Sequence, residues 1–279
     1  MLEDINTVIV IVMDTRDKGV FLTGGAQGLG RGIVVKLLSL GAKVFFVDVD
    51  VERGKATQVE LQTQYGADVV FFQPADVSDG EQHKAAFDAA VSTLGAVEIC
   101  VNNAGIMAED KWEKVLAVNA GSHIRGSLLA LEHMRRDRGG RGGVIINVAS
   151  LAALYPKSIC PSYTASKHAV IGFTTSWAMN PDHKDHGVRW CCLCPATFQS
   201  GMVDLKRLGD LDTDTIAEIL QKQGFVEISQ VVEGVMKLMR DPDNNGAILE
   251  VSLEKGARYR RRQVVDRDGV SDLVVVDTY

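Results

Sequence analysis

What constrains this chain most is a rhythm in its apolar residues. Short runs that are apolar along almost their whole length alternate with longer amphipathic stretches. The runs at 20–23, 43–47, 69–73, 97–101, 143–149, 188–194 and 247–251 read as strands. Most lack the in–out alternation of a sheet with one wet face, as expected of parallel strands covered on both sides. The stretches at 28–40, 51–65, 79–94, 112–138 and 163–179 read as helices. Repeated strand-to-helix alternation predicts an α/β fold: a Rossmann-type doubly wound parallel sheet in three layers. It forms one domain, 18–256, with β-prone extensions at 1–17 and 257–279. Residues 7–13 read as an additional strand, and 273–276 resemble them. The segment 201–228 breaks the rhythm, and 213–222 within it reads as a helix. It follows a strand's carboxyl end, where ligands bind in open α/β sheets, so a substrate lid is expected there.

Thr23-Gly24-Gly25-Ala26-Gln27-Gly28-Leu29-Gly30 follows the first core strand and opens a helix. Glycines there permit a tight turn and let backbone N–H groups approach a pyrophosphate at the helix N-terminus. Asp48 closes the next strand, 18 residues beyond Gly30. A carboxylate in that place can accept both hydroxyls of an adenosine ribose. It repels a 2′-phosphate by about 3 kcal/mol for one unit-charge pair at ~5 Å and an effective dielectric of ~20. The pattern therefore points to NAD rather than NADP.

Tyr163 and Lys167 stand at i and i+4, on one face of a helix. Ser150 lies 13 residues before Tyr163, at the end of a strand, and Asn119 sits inside the preceding helix. With the glycine loop, Asp76-Val77, Asn102-Asn103-Ala104-Gly105 and Pro195, these residues stand in the order and spacing of a known family. The chain resembles the short-chain dehydrogenase/reductases from about Lys18 to Val251. Within that family it is most similar to the branch that oxidises prostaglandin alcohols with NAD. Trp112-Glu113-Lys114, the run 139–147, Ser150-Leu151-Ala152, Ala165-Ser166-Lys167-His168 and Asn245-Gly246-Ala247-Ile248 carry that closer likeness.

The resemblance implies a function and a set of roles. The expected reaction is NAD-dependent oxidation of a lipid-like secondary alcohol to a ketone. Tyr163 is the expected base for the alcohol proton. A free phenol titrates near ~10, so work at neutral pH needs roughly 4 kcal/mol of help. Lys167 and the positive nicotinamide ring are expected to supply it. Ser150 should hydrogen-bond the reacting oxygen, and Asn119 should anchor a water that passes protons to Lys167. Gly24, Gln27, Gly28, Leu29, Gly30 and Asn103 should line the cofactor site, with Val49, Asp76 and Val77 at the adenine. Phe198, Gln199 and Ser200 should touch the nicotinamide end. The resemblance also implies a homodimer built across the helices carrying Asn119 and Tyr163.

Some positions depart from the family. Ala196 follows Pro195 where Gly is usual, Cys191 replaces Asn, and Ser200 replaces Thr. Cys160 stands where the prostaglandin branch has a Gln that helps Ser150 hold the hydroxyl. A thiol donates poorly, so Cys160 marks a substrate position at which prostaglandins should lose some grip.

Thirty basic against 36 acidic side chains leave a net charge of −6, too little positive field for a nucleic-acid partner. No run approaches the ~20 apolar residues of a membrane span. Five cysteines, three of them within four positions, make a poor disulfide framework and suit a reducing, cytoplasmic setting. Cys191 and Cys194 fall on opposite faces of a strand and cannot easily share a metal. His183-x-x-His186 has no further ligand near it, so no metal is expected. Trp112, Leu116 and His123 read as core or subunit interface, and the basic run from Arg258 to Arg262 as a solvated tail. Two rival readings remain: an NADP-linked carbonyl reductase, which Asp48 opposes, and a scaffold that binds the cofactor without turnover.

Overall fold

The computed structural model describes residues 13–198, 218, 224–260, 262–266 and 269–273. The expectations for 7–12, Gln199, Ser200, most of 201–223 and 274–276 lie outside them. The apolar runs become strands β1 (Gly19–Thr23), β2 (Lys43–Asp48), β3 (Val70–Pro74), β4 (Ile99–Asn102), β5 (Gly143–Val148), β6 (Val188–Pro195) and β7 (Ile248–Ser252). They pair in the order β3-β2-β1-β4-β5-β6-β7, all parallel. The order reverses between β1 and β4, so a crevice opens beyond their carboxyl ends.

Helices α1 (Gly28–Ser39), α2 (Val51–Tyr65) and α3 (Gly80–Leu94) connect the first four strands. Asp50 caps α2 by accepting from the Arg53 N–H, and Asp79 caps α3 through the Glu81 and Gln82 N–H groups. Such caps are typically worth about 1 kcal/mol each. Successive strand residues point to opposite faces. Val20 and Leu22 pack with α1, while Phe21 packs against Phe87 of α3 at a centroid distance of 5.2 Å.

Three features differ from the sequence expectation. The predicted helix 112–138 is α4 (Trp112–Leu116), a π-helical turn (Ala117–Gly121) and α5 (Ser122–Met134). Within that turn the Asn119 side chain pairs with the backbone of Ile106 through both its oxygen and its nitrogen. After α6 (Pro161–Ala178) and the short α7 (His183–His186) comes a helix the rhythm left unassigned, α8 (Ile228–Arg240). It buries Val231, Val232, Val235, Met236 and Met239 against α1 and the sheet.

The third difference is the basic run. Gly256–Tyr259 forms β8, antiparallel to β7 at the sheet edge. Arg258 and Arg260 are not solvated tail charges: both hold the carboxylate of Glu250, which is buried in β7. A buried charge must be paired, and this pairing anchors the edge strand. A separate hairpin follows, β9 (Arg262–Asp266) with β10 (Gly269–Leu273). Among the described residues no helix is long and apolar enough to cross a membrane.

Candidate active site

The glycine loop leaves β1 at Thr23 and is built around close backbone approach. A Cβ on Gly30 would stand 1.9 Å from the Gly24 carbonyl oxygen, so no side chain fits. Gly28 has φ +55 and nothing within 4 Å of where its Cβ would be. That combination leaves an open backbone face at the start of α1, the shape a pyrophosphate needs. Asp48 at the end of β2 accepts from the N–H of Ala26 at 3.0 Å and of Asp50 at 3.1 Å. Each carboxylate oxygen keeps a lone pair for a ribose hydroxyl.

Asn103, just past β4, ties the two strands flanking the crevice. Its Nδ2 donates to the carbonyls of Thr23 at 2.9 Å and Gly24 at 3.1 Å. Thr23 Oγ1 accepts in return from the N–H groups of Asn103 and Ala104, both at 3.0 Å. Gly24, Gln27, Gly28, Leu29, Gly30, Asp48, Val49, Asp76, Val77, Asn103 and Phe198 all line one trough. Asp76 reaches across it to Lys114 Nζ at 2.7 Å. Burial works to raise the Asp76 carboxyl, but hydrogen bonds from Lys114 and Ser78 outweigh it and hold it below the usual range.

A second cavity adjoins the trough through Leu29, Asn103, Met107 and Phe198, which line both. Ser150, Cys160, Tyr163, Lys167 and Ala196 line it. Ser150 lies just past β5 and turns the chain, its Oγ accepting from the Ala152 N–H at 3.1 Å. Tyr163 and Lys167 come from the first two turns of α6. Lys167 Nζ donates to the Val148 carbonyl at 2.8 Å and stands 5.8 Å from the centre of the Tyr163 ring. Burial pushes the Tyr163 phenol up to about 12, against the pull of the Ser150 hydroxyl beside it. Burial also pushes the Lys167 ammonium down to about 8. The protein on its own therefore moves the phenol away from neutrality, the reverse of the lowering that base catalysis needs. Cys160 is buried, and its thiol rises to about 11 chiefly by desolvation.

Asn119 lines neither cavity and is fully buried. Its Oδ1 accepts from the Ile106 N–H at 2.8 Å, and its Nδ2 donates to the Ile106 carbonyl at 2.9 Å and Ser166 Oγ at 3.1 Å. It joins the loop after β4 to the helix that carries Tyr163.

The sequence reading missed two residues of this region. Cys160 occupies the N-cap of α6 and makes no capping bond. Glu109, from the loop after β4, does so instead, accepting from the N–H of Ser162 at 2.9 Å and of Tyr163 at 3.0 Å. No local spacing signals a cap supplied from 54 residues away. Glu250 was read only as part of a strand, yet it lines the cavity wall. Trp112 is 52% exposed, whereas His123 is fully buried. Cys191 faces the α8 side of the sheet and Cys192 and Cys194 the other; all five cysteines are free thiols. Among the described residues no cluster of His, Cys, Asp and Glu could hold a metal ion.

A dinucleotide trough joined to a Ser–Tyr–Lys cavity at a sheet's switch point defines a class of protein. The chain belongs to the short chain dehydrogenase family, whose profile matches residues 18–210. Particular relatives narrow the likeness. It is similar to 15-hydroxyprostaglandin dehydrogenase [NAD(+)] of Bos taurus, 36% identical over 259 residues that span 89% of this chain and 96% of that protein. The Homo sapiens protein of the same name is 35% identical over 254 residues, with the same coverage of both chains. A 3beta-hydroxysteroid dehydrogenase 2 of Eggerthella lenta is 37% identical over 190 residues, 65% of this chain and 71% of that protein.

Proposed function

We propose that this protein oxidises a lipid-like secondary alcohol, prostanoids among the candidates, to its ketone with NAD. One observation carries the reading: Ser150, Tyr163 and Lys167 line a cavity that opens directly into the trough of Gly28, Gly30 and Asp48. The relatives agree on the coarser statement, dehydrogenases named for hydroxylated lipids, two of them named for NAD(+).

The open face of Gly28 and the spare lone pairs of Asp48 fit a dinucleotide without a 2′-phosphate. When bound, NAD supplies the hydride acceptor and a positively charged ring. Ser150 hydrogen-bonds the alcohol oxygen, and Tyr163 takes its proton. Bringing a phenol from about 12 to neutrality requires about 7 kcal/mol of added stabilisation of the phenolate. One positive charge ~4–5 Å away supplies about 3–4 kcal/mol at an effective dielectric of ~20. Lys167 alone falls short of that need, and the positive ring of a bound NAD would supply the remainder. Asn119 holds Ile106 and Ser166 in place around this pair, beside a water that hands protons onward from Lys167.

The same reading includes a homodimer across α5 and α6, whose flank exposes Trp112 and Leu128, and a reducing cytoplasmic setting for the free thiols. Light scattering on the purified chain tests the dimer. The function is tested by NADH formation across prostanoid, fatty, retinoid, steroid and short-chain alcohols. Turnover concentrated on the lipid alcohols is expected. Binding of NAD with no turnover of any alcohol would leave only a scaffold.

A further inference from the structure

Lys114, on α4, lines the cofactor trough without an assigned role. Its partner Asp76 lies just past β3, whose last residue, Pro74, stands in register with Asp48 on β2. The Ala75 N–H donates to the Asp48 carbonyl at 3.0 Å, so the two carboxylates belong to adjoining strand ends. Along the trough wall, Asp76 and Lys114 therefore come next after the carboxylate that suits an adenosine ribose.

Asp76, Ser78 and Lys114 close a ring of hydrogen bonds. Asp76 Oδ1 accepts from the Ser78 N–H at 2.9 Å and from Ser78 Oγ at 2.7 Å. Asp76 Oδ2 accepts from Lys114 Nζ at 2.7 Å, and Nζ also donates to Ser78 Oγ at 2.6 Å. Gln82 Oε1 holds the Asp76 N–H at 3.1 Å. A carboxylate oxygen has two lone pairs and an ammonium three N–H bonds. Among the described residues Oδ1 is therefore full, while Oδ2 keeps one lone pair and Nζ one N–H. The ring offers one acceptor beside one donor, 2.7 Å apart, on the trough wall.

Adenine carries the complement of that pair. Its N6 amine donates and its N7 accepts, whereas a purine with oxygen at position 6 shows acceptors in both places. Resting on the NAD-dependent dehydrogenase reading above, we propose that Asp76 and Lys114 read the adenine edge jointly. Asp76 Oδ2 takes an N6–H, and Lys114 Nζ donates to the ring nitrogen beside it. Lys114 also works through Asp76, because with Ser78 it fixes which carboxylate oxygen is left for the base. A ribose held by Asp48 sets where the base falls, so a mismatched purine cannot slide into another register.

The test is calorimetric affinity for two dinucleotides, NAD and nicotinamide hypoxanthine dinucleotide, which has oxygen in place of the N6 amine. Wild type should bind NAD ~5- to 150-fold more tightly, the usual discrimination of a two-bond contact to a base edge. Lys114→Met should bring that ratio toward one. Lys114→Arg, which keeps the charge and the donors, should restore part of it. An unchanged ratio in Lys114→Met would reduce the pair to a surface salt bridge and overturn the proposal, as would equal affinities in wild type. Should Lys114→Met not fold, Asp76→Asn decides. Its amide can donate to the hypoxanthine oxygen, so the preference should shrink, and a wild-type ratio overturns the proposal. NAD bound with the expected preference but no alcohol turned over would break the dehydrogenase reading and uphold this one.

Discussion

The two faces of the sheet are covered by equal numbers of long helices, yet they are built from different chemistry. On one side α1, α2 and α8 bury a single polar side chain, Thr57. On the other, α3, α5 and α6 bury nine, among them His83, His123, Ser127, Ser166, Lys167 and Thr174. Strands add to that second layer. Asn102 donates to Asn147 Oδ1 at 2.8 Å, Ser127 Oγ to the same oxygen at 3.1 Å, and Asn147 in turn to Thr174 at 2.9 Å. Apolar packing tolerates any partner of the right size, whereas a buried polar network fixes positions because each member must be satisfied. One face holds the sheet together; the other positions Tyr163 and Lys167.

The contrast is broken most sharply at Tyr163. Tyr163→Phe should leave NAD affinity and the thermal midpoint near wild type while kcat falls ~10²–10⁴-fold, the usual worth of a general acid–base group. Retention of more than about a tenth of kcat would remove Tyr163 from its role. The opposite face should answer the opposite way. Leu37→Ala, in α1 and fully buried, should cost ~2–5 kcal/mol in denaturant unfolding. Its kcat per folded molecule should be unchanged; a lost kcat would mean that the aliphatic face also positions the site.

Acid separates the faces next. Burial, and then Arg125, push His83 down to about 4. Between pH 6.5 and 4 the unfolded chain binds a proton that the folded chain refuses, so stability rises with pH across that window. The contribution is intact above pH 6.5 and lost as pH falls toward 4, about 3 kcal/mol from His83. Thermal midpoints measured from pH 7 to 4 should therefore fall less steeply in His83→Leu than in wild type. Parallel slopes would show that the imidazole is not buried neutral. The smallest effect concerns Cys160. A regained neutral hydrogen bond is worth ~0.5–1.5 kcal/mol, so Cys160→Gln should raise kcat/KM for a prostaglandin, relative to a simple fatty alcohol, by about 2- to 12-fold. A lowered ratio would show that Cys160 does not set substrate choice.

The aliphatic face and the cofactor trough were largely legible in the sequence, because their determinants are local. Apolar strand runs, a glycine loop between strand and helix, and a carboxylate at the next strand end each announce themselves within about thirty residues. Even there α8 was passed over, although Ile228, Val231, Val232, Val235 and Met239 keep helical spacing. The polar face was legible at Ser150, Cys160, Tyr163, Lys167 and Asn119, which the family resemblance picked out. Its supporting contacts join residues far apart in the chain, such as Asn102 with Asn147 and Asn119 with Ser166. The π-helical turn left no periodic signal, and the Asn119–Ile106 contact within it joins residues 13 apart. Pairing also decided the basic run, since charge composition cannot tell a solvated arginine from one neutralising a buried glutamate.

The cap that Glu109 places on α6 has a consequence for how this chain can change over generations. A carboxylate shared by the Ser162 and Tyr163 N–H groups makes the loop after β4 and the first turn of α6 vary as one unit. Adding or removing a residue between Asn103 and Glu109 would swing that carboxylate out of reach, and Cys160 offers no substitute. Surface loops usually drift freely in length, but this one is held to a fixed count. Lineages descended from this chain can alter its residues one by one, yet its length is heritable baggage that the helix will not release.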